Sequence, residues 1–139
     1  MITLFTIPRD FTGLIATIQQ NAIRSWLELG VQVILFGDAW GIYQFAKSYK
    51  LQVVSDINKN AFGTPLISDA FSKMRKICST PYIGYINCDM ILLPDFSTTL
   101  KRIQLKRFLL AGQRRPLEIK NALVGQKSWQ TTLLKRLDI

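Results

Sequence analysis

Apolar, β-rich runs alternate with helical segments over short links, which predicts an α/β protein: a mostly parallel sheet between helices on both faces, in three layers. Two observations carry this expectation. Residues 31–36 form a near-continuous apolar run, the pattern of a strand covered on both sides. Just before it, Ile15, Ile18, Ala22, Trp26 and Leu29 recur at helical spacing, so strand, helix and strand follow in βαβ order. With 139 residues, 48% hydrophobic and 19% charged, the chain has the size and apolar content of one domain with a real core.

The elements follow in order. Residues 2–7 make the first strand, closed by Pro8. Thr12 is placed to cap the first helix and Gly30 to end it. The second strand, 31–36, turns at Gly37-Asp38 into a helix over about 39–49, and residues 51–54 give a short third strand. A polar loop, 58–63, precedes Thr64-Pro65, a cap followed by proline at the first helical position, which predicts a helix over about 65–79. Pro81 stops it. Residues 82–88 form a fourth strand with Asp89 at or just past its end, Pro94-Asp95 opens another helix, and residues 107–111 read as a fifth strand. A last amphipathic helix is expected over 129–137.

Composition narrows the chemistry. The chain has no histidine, so imidazole catalysis and ordinary zinc sites are excluded and acid–base work falls to carboxylates. Cys78 and Cys88 cannot make a disulfide framework. Cys88 reads as a small buried hydrophobe. No apolar run approaches the ~18 residues of a membrane span, and the first residues lack the features of a signal peptide, so a cytoplasmic protein is expected. The net charge of +9 is uneven: residues 1–100 carry 8 Lys and Arg against 7 Asp and Glu, residues 101–139 carry 10 against 2. That basic end is either a solvated face or a weak peripheral contact for a membrane surface. It lacks the regular aromatics of a single-strand platform, and no nucleic-acid partner is expected.

Ligands of open α/β sheets sit beyond the C-terminal ends of the strands. Thr6, Arg9, Asp38, Asp56 and the Asn87-Cys88-Asp89 group fall there. A carboxylate such as Asp89 can hold a hard divalent cation whose other ligands are water and phosphate, or it can simply cap a turn. Asp38 can likewise be a ligand contact or an N-cap of the second helix. Gly63 allows a close backbone approach or a positive-φ turn.

Five ordered blocks resemble the GT-A-type glycosyltransferases related to family 2: Thr6-Ile7-Pro8; Gln20-Asn21-Ala22-Ile23-Arg24-Ser25-Trp26; Leu35-Phe36-Gly37-Asp38; Asn60-Ala61-Phe62-Gly63-Thr64-Pro65; and Tyr85-Ile86-Asn87-Cys88-Asp89-Met90. The resemblance implies a Rossmann-like GT-A nucleotide-sugar-binding domain over residues 1–115. It implies transfer of a sugar from a nucleotide-diphosphate donor to an acceptor hydroxyl, with manganese or magnesium. Thr6, Pro8, Arg9, Asp38, Gly63, Asn87 and Asp89 would border the donor, and Asp89 would be the metal ligand. Asn60 and the Gly112-Gln113-Arg114-Arg115 stretch are weaker candidates. Asn87 stands where the family motif has its first aspartate, so the pair offers one charge instead of two.

The family continues into an acceptor-binding half that also supplies the catalytic base. Residues 116–139 are read as a basic remnant of the link to that half, so the domain is expected to be truncated. No residue is nominated as the base; Glu118 and Asp138 are the only acids after Asp95. The chain is then either a glycosyltransferase completed by a partner chain or a homodimer, or a vestigial, non-catalytic nucleotide-sugar-binding domain. The acceptor is unknown.

Overall fold

The computed structural model describes residues 1–137; Asp138 lies outside them. Strands β1 (Ile2–Thr6), β2 (Gln32–Phe36), β3 (Gln52–Val54) and β4 (Tyr82–Tyr85) form one all-parallel sheet in the order β3-β2-β1-β4. Helices α1 (Gly13–Glu28), α2 (Ile42–Tyr49) and α3 (Ile67–Ile77) make the crossovers, and α4 (Asp95–Arg102) and α5 (Trp129–Arg136) follow β4.

Side chains alternate across the sheet as the strand period of two requires. Leu4, Val33 and Leu35 pack with Ala22, Ile23 and Trp26 of α1 and with Ile42, Phe45 and Ala46 of α2; Phe96 and Leu100 of α4 join the margin of this cluster. Phe5, Ile34 and Phe36 form a second core with Ala70, Phe71 and Met74 of α3. The three layers anticipated from the apolar runs are therefore present. The Phe5 ring meets Phe36, Phe71 and Tyr85 at centroid distances of 5.6, 4.8 and 5.5 Å, which joins three strands and α3 through one aromatic cluster.

Several boundaries differ from expectation, each for a local reason. Residues 107–111 form no strand, so β4 remains an edge. Phe108 alone of that run is anchored, 5.2 Å from the Tyr82 ring, while Leu109 and Leu110 are exposed. The fourth strand stops at Tyr85 because β1, its only ladder partner, ends at Thr6; after a last bond from Ile86 N–H to the Phe5 carbonyl the chain turns, with Met90 N–H on the Asn87 carbonyl. Helix α3 starts at Ile67, two residues after the expected proline. Asn60 is the reason. Its side-chain oxygen accepts from Phe62 and Thr64 N–H, and Leu66 N–H bonds the Asn58 carbonyl, so Pro65 is held in a bridge to Lys59 outside the helix. Helix α2 waits for Gly41, whose φ of 80° makes it the N-cap. Thr12 does occupy the N-cap of α1, although its side chain makes no capping bond, and Gly30 ends that helix at φ 71°.

The segment after α4 returns to α1. The Asn21 amide donates to the Asn121 carbonyl, and its oxygen accepts from Leu123 and Val124 N–H. The Trp129 indole donates to Glu28, and Val124, Trp129 and Leu133 are buried.

Candidate functional site

The strand order reverses direction at β1: β2 and β3 lie to one side and β4 to the other. Both connections leaving this switch point run to the α1 face in this chain, since the loop after β4 is bonded to Trp26 and Ser25 and α4 joins the α1–α2 cluster. In open parallel sheets ligands bind in a crevice beyond the C-terminal strand ends at such a switch point. Here its walls are the β1–α1 loop, residues 7–12, and the loop after β4, residues 86–94. Four of the seven candidates belong to these two walls, and a fifth, Thr6, ends the strand that leads into the first.

On the first wall, Thr6 is fully buried at the end of β1 and its hydroxyl has no hydrogen-bond partner of good geometry; the polar group facing it is the Cys88 thiol. Pro8 is buried and Arg9 exposed. The main chain at Arg9 is clamped twice by the Gln19 amide, which accepts from Arg9 N–H at 2.7 Å and donates to Arg9 carbonyl oxygen at 2.8 Å. Gln19 itself is buried. Arg9 is thus an exposed side chain on a fixed backbone a few residues before α1, at whose N-terminal end unpaired N–H groups favour an anion.

On the second wall, Asn87 and Asp89 are exposed while Cys88 between them is buried. The expected inward packing of Cys88 is observed, produced by the turn and not by strand alternation. Burial pushes its thiol up to about 12, so it is a neutral packing group with no nucleophilic role. The Tyr85 hydroxyl donates to Asn87 Oδ1 at 2.9 Å, which directs the Asn87 amide N–H group away from the tyrosine. Burial raises the Tyr85 phenol, and the neighbouring Cys88 and Asp89 add to the shift, so Tyr85 remains a donor.

The loop carrying Asp89 is tied to α1. The Trp26 indole donates to the Met90 carbonyl at 2.7 Å, and Ser25 Oγ accepts from Leu92 N–H at 3.0 Å. Gln19, Asn21 and Ser25 were not singled out individually from sequence. The signal was available: three polar residues interrupt the buried face of an otherwise apolar helix.

Asp38 and Gly63 form a separate group beyond β2 and β3. Asp38 is not the N-cap of α2. Its carboxylate pairs with Lys59 at 3.1 Å, and the Lys59 hydrogen bond, followed by its charge, holds the carboxyl below the usual range. Gly63, at φ 78°, closes the loop stapled by Asn60, so the turn accounts for the glycine. Asp56 is engaged by Lys73 at 3.1 Å. Arg114 and Arg115 lie exposed in the long segment after α4.

Among the described residues, no three His, Cys, Asp or Glu side chains come together to hold a metal. Asp89 is a lone carboxylate, with the neutral Asn87 oxygen two residues before it and the buried Cys88 between them. That donor set does not build a resident metal site. It fits only an ion that brings most of its ligands as water and phosphate oxygens. The groove between α1 and α2, about 320 Å³ and floored by the stacked Phe11 and Phe45 rings, contains none of the seven candidates.

No family model matches the chain, and no curated protein or solved structure is similar to it at a significant level.

Proposed function

We propose that the crevice between the β1–α1 loop and the β4 loop binds a nucleotide-diphosphate sugar, and that the chain is glycosyltransferase-like. The observation that supports this best is the switch point of the parallel sheet, with Arg9 and the α1 N-terminus on one wall and Asn87 and Asp89 on the other. Arg9 and the helix end would offset diphosphate charge. Asp89 would ligate a manganese or magnesium ion arriving with the diphosphate, and Asn87 would hydrogen-bond the ribose or sugar. Gly63 and Asp38 would lie towards the base, with Asp38 released from Lys59 or shared with it. In the reaction, the bond from the anomeric carbon to the diphosphate breaks, a bond to an acceptor oxygen forms, and the hydroxyl proton goes to a base.

A second reading is a non-catalytic nucleotide-sugar-binding domain. It is favoured by the crevice walls themselves, where Asp10 and Asp89 are the acids and Asp10 is engaged by Trp40 N–H at 2.8 Å. On the first reading a partner chain or a second copy would bring the acceptor and the base.

Calorimetric titration with several nucleotide-diphosphate sugars, with and without manganese, tests the donor site. Metal-dependent binding lost in Asp89→Ala supports it, and absence of binding to every donor rejects it. Release of free nucleotide diphosphate separates the enzyme from the binder.

A further inference from the structure

Between Asp95 and Glu118 the chain carries six cations, Lys101, Arg102, Lys106, Arg107, Arg114 and Arg115, and no acid. All six are exposed, and among the described residues none is in an ion pair. Three leucines stand out of the same stretch: Leu105 is 65% exposed, Leu110 49% and Leu109 95%. Phe108 supplies the fixed point. Its ring packs on Tyr82 of the edge strand, while Arg107 and Leu109 on either side of it are exposed.

Exposed leucines and unpaired cations on one short segment answer two different needs. The cations match an anionic surface. The leucines gain nothing from phosphate alone, and they are stabilised by passing into an apolar phase. A bilayer with anionic headgroups offers both within one depth, and stable peripheral attachment characteristically takes two such signals together. Nucleic acid matches only the first. The aromatic ring of the segment, Phe108, is occupied by Tyr82 and is not presented for base stacking.

We propose that residues 101–115 form a membrane-docking surface that seats on anionic lipid, with the cations at the headgroups and Leu105, Leu109 and Leu110 inserted below them. This surface does not depend on the donor-site reading: apart from the weaker candidates at residues 112–115 it shares no residue with the donor site, and it requires no nucleotide.

Co-sedimentation of the full chain with phosphatidylcholine vesicles, alone or mixed with phosphatidylglycerol, tests the proposal. Binding is expected to the mixed vesicles and not to the neutral ones. Leu105→Ser with Leu109→Ser should lower partitioning about tenfold or more, since two leucines lose their apolar transfer. Lys106→Glu with Arg107→Glu should lower it by a similar or larger factor. These side chains are exposed, so both variants should keep the wild-type circular dichroism and melting temperature. No binding to mixed vesicles overturns the proposal. So does binding indifferent to the leucines, or preference for a DNA or RNA oligonucleotide over the vesicles.

Discussion

The indole of Trp26 donates its hydrogen bond to the carbonyl oxygen of Met90, 64 residues away, at 2.7 Å. A fully buried core residue of α1 thereby fixes the backbone next to Asp89, so the position of that carboxylate depends on the body of the helix whose N-terminus borders the other wall. Trp26→Phe keeps much of the apolar volume but leaves the Met90 carbonyl without its donor. A loss of about 1–3 kcal/mol in urea unfolding is expected. Trp26→Ala should cost more, about 3–5 kcal/mol, because a cavity is added. Amide exchange across residues 88–92 should quicken in both.

Asn21 places three hydrogen bonds on the segment 121–124. Asn21→Ala should therefore release that segment in preference to the sheet. Limited proteolysis is expected to cut between α4 and α5 at lower protease concentration than in the wild type, with the core fragment left intact. Unchanged cleavage would argue that Val124 and Trp129 hold the segment unaided.

The two thiols should differ in reactivity. Cys88 is buried and pushed up to about 12. Burial also opposes ionisation of Cys78, but hydrogen bonds with Thr3 and Thr80 outweigh it and leave that thiol below its ordinary value. Iodoacetamide at neutral pH should label Cys78 first, and Cys78→Ser should remove the fast phase while leaving the slow one.

The Asp69–Lys73 pair sets a pH dependence at both ends of the scale. The Asn58 N–H, then Lys73, holds the Asp69 carboxyl below 3.8. Its stabilising contribution is present above the unfolded value and is lost as pH falls through the lower folded value. Lys73 is raised above 10.5, first by its hydrogen bond to Asp69, so its contribution is complete below that value and is lost as pH rises through the folded one. The urea midpoint should fall on acidification below about pH 4, and Asp69→Asn should flatten that fall.

How much of this was legible in the sequence depends on where the cause lies. The strands and α1 were readable because burial on two faces writes itself as unbroken apolar runs and a 3.6-residue period. Gly30 ended α1 as expected, since that position needs a positive φ. The Thr64-Pro65 signal failed because Asn60 stapled the loop through side-chain bonds that no local propensity records. The run at 107–111 failed for a different reason: apolar residues become a strand only with a partner edge to meet, and Phe108 instead settled its ring on Tyr82. Of the candidate site, chain position was legible and partnership was not. The order of the strands puts Arg9 and Asp89 on loops that leave neighbouring strands, whereas the Asp38–Lys59 pair, 21 residues apart, could not be anticipated from composition.

One consequence follows from α1 serving two clients. Ser25 and Trp26 hold the Asp89 loop while Asn21 holds the C-terminal segment, within less than two turns of the same helix. A ligand that orders the loop and thereby shifts the opening equilibrium of the segment would have its own affinity shifted by the segment by the same factor. The helix is the common support through which such a linkage would run.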